Sequence, residues 1–367
     1  MRTLFFILFS FYSALSAQYV STFYSSASFQ IDDAMVQDKH GNLYGSHYMG
    51  SRVYKITPNG TASIFSSGYN TPNGLAFNSR DELYIVDNIG NRIYKVDTAG
   101  NRIDTIVVGN PSGIIKSIDS DTMIITQYTG HRVRKLAPDG TVLPPMFAGY
   151  PLSGPVGLCY GADSTLYVGN FTDRKIFKVD SGRLIYIARV PGFSSTSLGF
   201  ITHANGFLYG TAFQSHQIYK IDPNFQDSVI LLSGSTVGNN NGPVSSARFN
   251  GPNGILASRG GDSLFISDFN TGDIRLISGL LTNIEDRSFQ DAIQFYPNPV
   301  EEILYIQLNQ EKRINFYIYD QLGKIVREGS FTSKGSQQIS LDGLPSSMYF
   351  LEWRSGEERV IKKLIKK

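Results

Sequence analysis

Pro72-Asn73-Gly74-Leu75, then Leu83-Tyr84-Ile85-Val86-Asp87, then Asn91-Arg92-Ile93-Tyr94-Lys95-Val96 decides the fold of this chain. Short apolar runs rich in aromatic and β-branched residues, bounded by Gly, Asn and Asp, predict antiparallel strands joined by tight turns. The same spacing recurs with leading residues at Leu43, Leu83, Met123, Leu166, Leu208 and Leu264. Ten residues after each stands a second apolar anchor: Val53, Ile93, Val133, Ile176, Ile218 and Ile274. Nine or ten residues before each stands a small one: Ala34, Gly74, Gly113, Gly157, Gly199 and Gly254. The steps between copies are 40, 40, 43, 42 and 56 residues. Turn signals such as Pro58-Asn59-Gly60 and Pro138-Asp139-Gly140 divide each copy into about four runs. Four short strands per ~42 residues is the period of one propeller blade. The expectation is an all-β, six-bladed β-propeller. The last copy lacks a fourth strand and Tyr19–Ser25 precedes the first, so the N-terminal strand is expected to close blade 6 and cover its edge.

Composition agrees with this and excludes several classes. Charged residues are 17% of the 367, hydrophobic ones 41%, with 36 Gly and a formal net charge of +2. So balanced a charge provides no basic face for a phosphate backbone, and no nucleic acid is expected as partner. The single Cys159 forms no intramolecular disulfide and lies in the apolar run Val156–Tyr160. Residues 1–17 carry Arg2, the apolar run Leu4–Phe11 and Ala14-Leu15-Ser16-Ala17, which is the pattern of a signal peptide. No later run is long enough for a transmembrane segment.

The Pro-Asn-Gly-Leu, Leu-Tyr-Ile-Val-Asp and Asn-Arg-Ile elements resemble the NHL-repeat propellers, as does Ala247-Arg248-Phe249-Asn250-Gly251-Pro252-Asn253-Gly254-Ile255 inside the long step. The gluconolactonase and regucalcin-like propellers share the six-bladed plan. The resemblance covers roughly residues 19–278, within a propeller domain expected over 18–280.

The period then stops. Residues 281–292 form a polar linker, and 293–367 hold Phe295-Tyr296-Pro297-Asn298-Pro299, two alternating strands, the turn Asp320–Lys324 and a Lys-rich end. This predicts a small Ig-like β-sandwich. It resembles the type A C-terminal sorting domain of type IX secretion cargo, departing at Ser346-Ser347-Met348-Tyr349, where the family has a Gly before the aromatic. The resemblance implies passage through the periplasm to the outer surface or extracellular space. It also implies as partners the type IX machinery, its sortase and a surface lipopolysaccharide anchor.

Strand geometry points to one face of the ring. The residues before the blade-start positions are Asp33, Asn73, Ser112, Val156, Leu198 and Asn253. Those four beyond the leading residues are His47, Asp87, Gln127, Asn170, Ala212 and Asp268. Both sets are expected on one rim, oxygen-rich in blades 6, 1 and 2 and apolar in blades 4 and 5. Converging oxygens suit calcium. By resemblance to the gluconolactonases, Asp33, Asn73 and Asn253 would hold it, with Asp268 or Asp87 activating water against a lactone or ester. The other reading is a non-catalytic surface propeller binding a glycan, peptide or protein, with His47, Gln127 and Asn170 as further rim contacts. Tyr48, Tyr128, Phe171, Phe213 and Phe269 follow rim residues, and strand alternation turns them towards the blade interfaces. Arg52, Arg92 and Arg132 are expected to brace neighbouring blades, and the insert Ser235–Phe249 to lid the mouth. On the opposite face, Asp-Ser/Thr steps at Thr98, Thr105, Thr122, Ser164, Ser228 and Ser263 resemble the O-glycosylation sequon of bacteria with type IX secretion.

Overall fold

The computed structural model describes residues 18–280, 293–308, 313–321, 323–355 and 358–367. The expected signal peptide (1–17) and linker (281–292) lie outside the described residues. The chain divides into two compact units, 1–280 and 281–367.

The first unit is built from six antiparallel sheets. Blade 1 runs Met35–Gln37, Leu43–Ser46, Arg52–Ile56, Ala62–Ser67, and blade 2 runs Pro72–Phe77, Leu83–Asp87, Arg92–Val96, Arg102–Val107. Blades 3, 4 and 5 open at Pro111–Lys116, Pro155–Tyr160 and Leu198–Ala204. Each meanders outward from its innermost strand, so neighbouring strands need only tight turns. The innermost strands touch in sequence round the ring, and Pro252–Ala257 of blade 6 meets Met35–Gln37 of blade 1. Blade 6 continues through Ser263–Asp268 and Asp273–Ser278, and Tyr19–Tyr24 pairs with the latter, Tyr19 opposite Ser278 and Val20 opposite Ile277. Val20 is fully buried. The two-residue strand Gly242–Pro243 adds beyond it as a fifth.

The apolar anchors account for the packing. Val53, Ile93, Val133, Ile176, Ile218 and Ile274 are all fully buried, as are Leu83, Met123, Leu208 and Leu264. Glycine at the blade start has a steric cause. A Cβ on Gly254 would stand 2.0 Å from the Asp33 carbonyl oxygen, and one on Gly113 1.9 Å from that of Val156. Backbone therefore meets backbone between blades. The bracing comes from short hydroxyls: Ser46 Oγ donates to Asn73 O (2.8 Å), Thr211 Oγ1 to Asn253 O (2.6 Å) and Ser267 Oγ to Asp33 O (2.8 Å). The arginines expected there do otherwise. Arg52, Arg92 and Arg132 are exposed, and Arg92 bonds Gly90 O of its own turn.

The second unit is a two-sheet sandwich. Ile293–Tyr296, Ile303–Leu308 and Gly335–Ser340 face Ile325–Phe331, Ile314–Tyr319, Ser347–Ser355 and Glu358–Lys366. Leu304, Ile306, Ile318, Leu351 and Trp353 fill the space between. The turn before Lys324 closes with Asp320 N to Lys324 O, and Gly323 takes φ +78° in it, a conformation that glycine adopts without strain.

Candidate functional site

A cavity of about 300 Å³ opens where the second and third strands of each blade turn. Its polar lining is Asp33, Asn73, Ser112, Asn253 and Asn88, its aliphatic contribution Val156, and its rings Tyr48, Tyr128, Phe171, Phe200, Phe213 and Phe269. The first predicted set thus converges, with Leu198 excepted.

A register irregularity in the inner strands of blades 2 to 6 places the residues these blades contribute. In blade 2 the ladder passes from Pro72↔Asp87 to Leu75↔Ile85, and in blade 6 from Pro252↔Asp268 to Ile255↔Ile266. Asn73 and Asn253 fall in the extra step, where a bulge redirects a side chain out of the pleat. In blade 5 the ladder runs Leu198↔Ala212 then Ile201↔Gly210, one residue out of step with its glycine relative to blade 2. Leu198 is accordingly buried in the core, and Phe200 enters the channel instead.

The second predicted set is absent from the lining. The strand Leu83–Asp87 ends at Asp87, so period-two alternation ends there too. The carboxylate of Asp87 instead accepts from the backbone N–H groups of Asn70, Thr71 and Gly90 (2.9, 2.9 and 3.0 Å). Asp268 is fully buried, accepting from Asn250 N at 3.1 Å and pairing with Arg275 Nη1 at 3.1 Å. Burial pushes it up to about 7 against the pull of that guanidinium. Gln127 Nε2 donates to Gly109 O and Asn170 Nδ2 to Pro151 O (2.6 and 2.9 Å), leaving Oε1 and Oδ1 without partners. His47 Nε2 lies 3.5 Å from Asp32. The placement of Asp87 and Asp268 as water activators at the rim is corrected: both hold loops.

The residues one step further on occupy the mouth, a second correction. Tyr48, Tyr128, Phe171, Phe213 and Phe269 sit in or at the start of turns and form its collar. Tyr48 and Phe269 have ring centroids 6.1 Å apart, Phe213 and Phe269 5.2 Å, Tyr128 and Phe171 5.8 Å. Blade 2 puts Asn88 at this position, a residue the sequence reading passed over although it shares the register of Tyr48.

Asp33 lies at the floor, 1% exposed. Its Oδ1 accepts from Asn253 Nδ2 at 2.7 Å, and its Oδ2 is buried without a partner. Burial, reinforced by the adjacent Asp32 carboxylate, holds Asp33 well above the usual carboxylate range. Asn73 Nδ2 donates to Ser112 Oγ at 3.2 Å, and its Oδ1 is likewise buried and unpartnered. As a calcium site this set falls short. Asp33 is the only carboxylate in the lining, one of its oxygens is taken, and Asn253 offers it an N–H. Among the described residues no three His, Cys, Asp or Glu side chains are grouped to hold a metal ion. A hard cation site needs more negative charge than this.

The insert is not a lid. None of its residues lines the cavity. Arg275, 1% exposed, holds it to blade 6 through Asn240 O (3.1 Å), Asn241 Oδ1 (2.7 Å) and Arg248 O (2.9 Å). On the opposite face, Thr98, Thr122, Ser164, Ser228 and Ser263 lie in or beside turns, and Thr105 is on the outer strand of blade 2. Thr98, Thr105 and Ser164 are exposed.

Comparison with known proteins gives a fold for the first unit and a family for the second. A gluconolactonase from Xanthomonas campestris is 18% identical with TM-score 0.56, covering 72% of this chain and 90% of that one. An auxiliary nutrient binding protein from Bacteroides ovatus is 16% identical with TM-score 0.60, covering 71% and 76%. A catalytically inactive virginiamycin B lyase from Staphylococcus aureus, solved with quinupristin, is 17% identical with TM-score 0.51, covering 67% and 80%. At such identities the likeness is one of fold. No curated protein matches the chain. Among the described residues no helix is long and apolar enough to cross a membrane. Residues 294–367 match the secretion system C-terminal sorting domain, so this all-β chain joins a unit with the propeller fold of these solved structures to a C-terminal sorting domain that indicates type IX export.

Proposed function

We propose that this chain is a surface-displayed or released propeller that binds a glycan, peptide or protein through the mouth cavity. The observation that carries this is the aromatic collar set over a buried polar floor, a concave apolar pocket with a few convergent polar groups. Cleavage of an N-terminal signal peptide, removal of the sorting domain by the sortase and attachment to lipopolysaccharide complete the proposed route. The test is a glycan and peptide array probed with the full chain and with Phe269→Ala. Ligands retained by the first and lost by the second support the reading, and arrays that do not distinguish the two overturn it.

Hydrolysis of a lactone or ester is a second reading. The unpartnered Asp33 Oδ2 and Asn73 Oδ1 favour it, because buried oxygens without donors are what an incoming cation would engage. The single carboxylate weighs against it. Turnover of a lactone panel that requires calcium and is lost in Asp33→Ala would place it first.

A further inference from the structure

We propose that the mouth cavity takes an organic ammonium group, with the Asp33 carboxylate as its counter-charge and the rings of Tyr48, Phe269, Phe213, Tyr128 and Phe171 as its wall. The proposal rests on the mouth being the binding site and specifies what enters it.

Charge makes the first argument. The lining contains one acidic side chain and no Lys, Arg or His. Asp33 is buried, one oxygen fixed by Asn253 and the other aimed at no donor. A desolvated carboxylate without a cation is costly, so Asp33 keeps its proton in the empty mouth, and an ammonium ligand beside it would restore the ionised form. The neighbouring Asp32, itself buried, adds to the negative potential. A carboxylate or phosphate ligand would find no cationic side chain here, and a neutral ligand would give Asp33 no counter-charge on ionising. Asn73 Oδ1 provides a second unpartnered acceptor for an N–H.

Ring geometry makes the second. Tyr48 and Phe269 are inclined at 52°, Phe213 and Phe269 at 86°, Tyr128 and Phe171 at 78°. Rings so inclined leave no parallel slot between them for a flat ligand. Aromatic rings lining a cavity attract a compact cation through their quadrupoles, most strongly where water is excluded.

Isothermal titration of the full chain tests this, with choline and butylammonium each set against a neutral analogue of similar size, 3,3-dimethyl-1-butanol and 1-pentanol. The expected result is that at least one cation binds about tenfold or more tighter than its analogue. Asp33→Asn should abolish that preference with its melting transition intact, and Phe269→Leu should weaken the cation independently. Preference for choline indicates a methylated quaternary headgroup, and preference for butylammonium a lysine side chain or amino terminus. Equal binding of cation and analogue overturns the ammonium assignment and leaves the mouth a binding site. Ligands found on the arrays that need Phe269 but bear no cation do the same. No binding of either cation, with arrays that fail to distinguish Phe269→Ala, overturns both readings.

Discussion

Asn253 Nδ2 donates to Asp33 Oδ1 at 2.7 Å, joining the last blade to the first across 220 residues of chain. The bond sits directly above the backbone seam, where Ser267 Oγ holds the carbonyl of the same Asp33. Side chain and main chain of one residue are thus fixed by one neighbouring blade. Asp33 consequently has one free oxygen and little freedom to move it, which is the preorganisation a binding site needs.

The protonation of Asp33 should be visible in stability. Its folded carboxyl lies well above its unfolded value of 3.8, so the folded chain retains a proton that the unfolded chain releases. That contribution is complete below the unfolded value and is lost as pH rises towards the folded one. Asp33→Asn does not titrate. The melting temperature of the parent should therefore fall relative to Asp33→Asn between pH 5 and pH 8, and a constant difference would count against a raised carboxyl.

Closure of the ring depends on Val20. An aspartate there would bury an unpaired charge in the last blade. We expect Val20→Asp to abolish cooperative melting of the propeller and expose the Asp273–Ser278 edge to association, detected by size-exclusion chromatography. Tyr19→Asp, at a position 46% exposed, should melt like the parent.

Arg275 supports two structures at once. Arg275→Ala leaves Asp268 buried and unpaired and frees three acceptors of the insert. The loss should be about 3–5 kcal/mol in chemical denaturation. Adding Asp268→Asn should recover part of it, since the uncompensated charge is then gone. A double variant no better than the single would assign the loss to the insert alone.

Calcium gives a direct comparison. An ion at a hundred times its dissociation constant would add about 2.7 kcal/mol. With one carboxylate in the lining, the full chain should melt at the same temperature in EDTA and in millimolar calcium. A rise that disappears in Asp33→Ala would restore the metal site.

Hexose on the far face is the last expectation. Intact mass from the native host should exceed that of chain made in a host lacking the pathway. The excess should fall when Thr98 and Ser164, both exposed, are changed to Ala. Identical masses would remove the modification.

Much of the propeller was legible because burial repeats with the strands. Leu83 and Ile93 recur at fixed offsets since each must fill the same gap between blades, and Gly254 recurs in kind because a carbonyl stands where its Cβ would be. The site was half legible. Asp33, Asn73 and Asn253 converge as expected from their place before the blade start. Asp87 and Tyr48 exchanged roles because alternation was extended one residue past the strand end, into turns where the backbone sets side-chain direction. Phe200 was hidden by the register of blade 5, which pairing fixes and spacing does not. Arg275 was missed for a different reason: two of its four acceptors are main-chain carbonyls, which no side-chain pattern reports.

Tyr19 and Ser278 are ladder partners 259 residues apart. The first strand of the propeller in chain order therefore lacks its ladder partner until the final blade has been made. Closure of the ring accordingly waits on the strand Asp273–Ser278, the last of the propeller in chain order. The pairing also sets the two boundaries of the propeller side by side, so trimming beyond Tyr19 and beyond Leu280 would leave the seam whole.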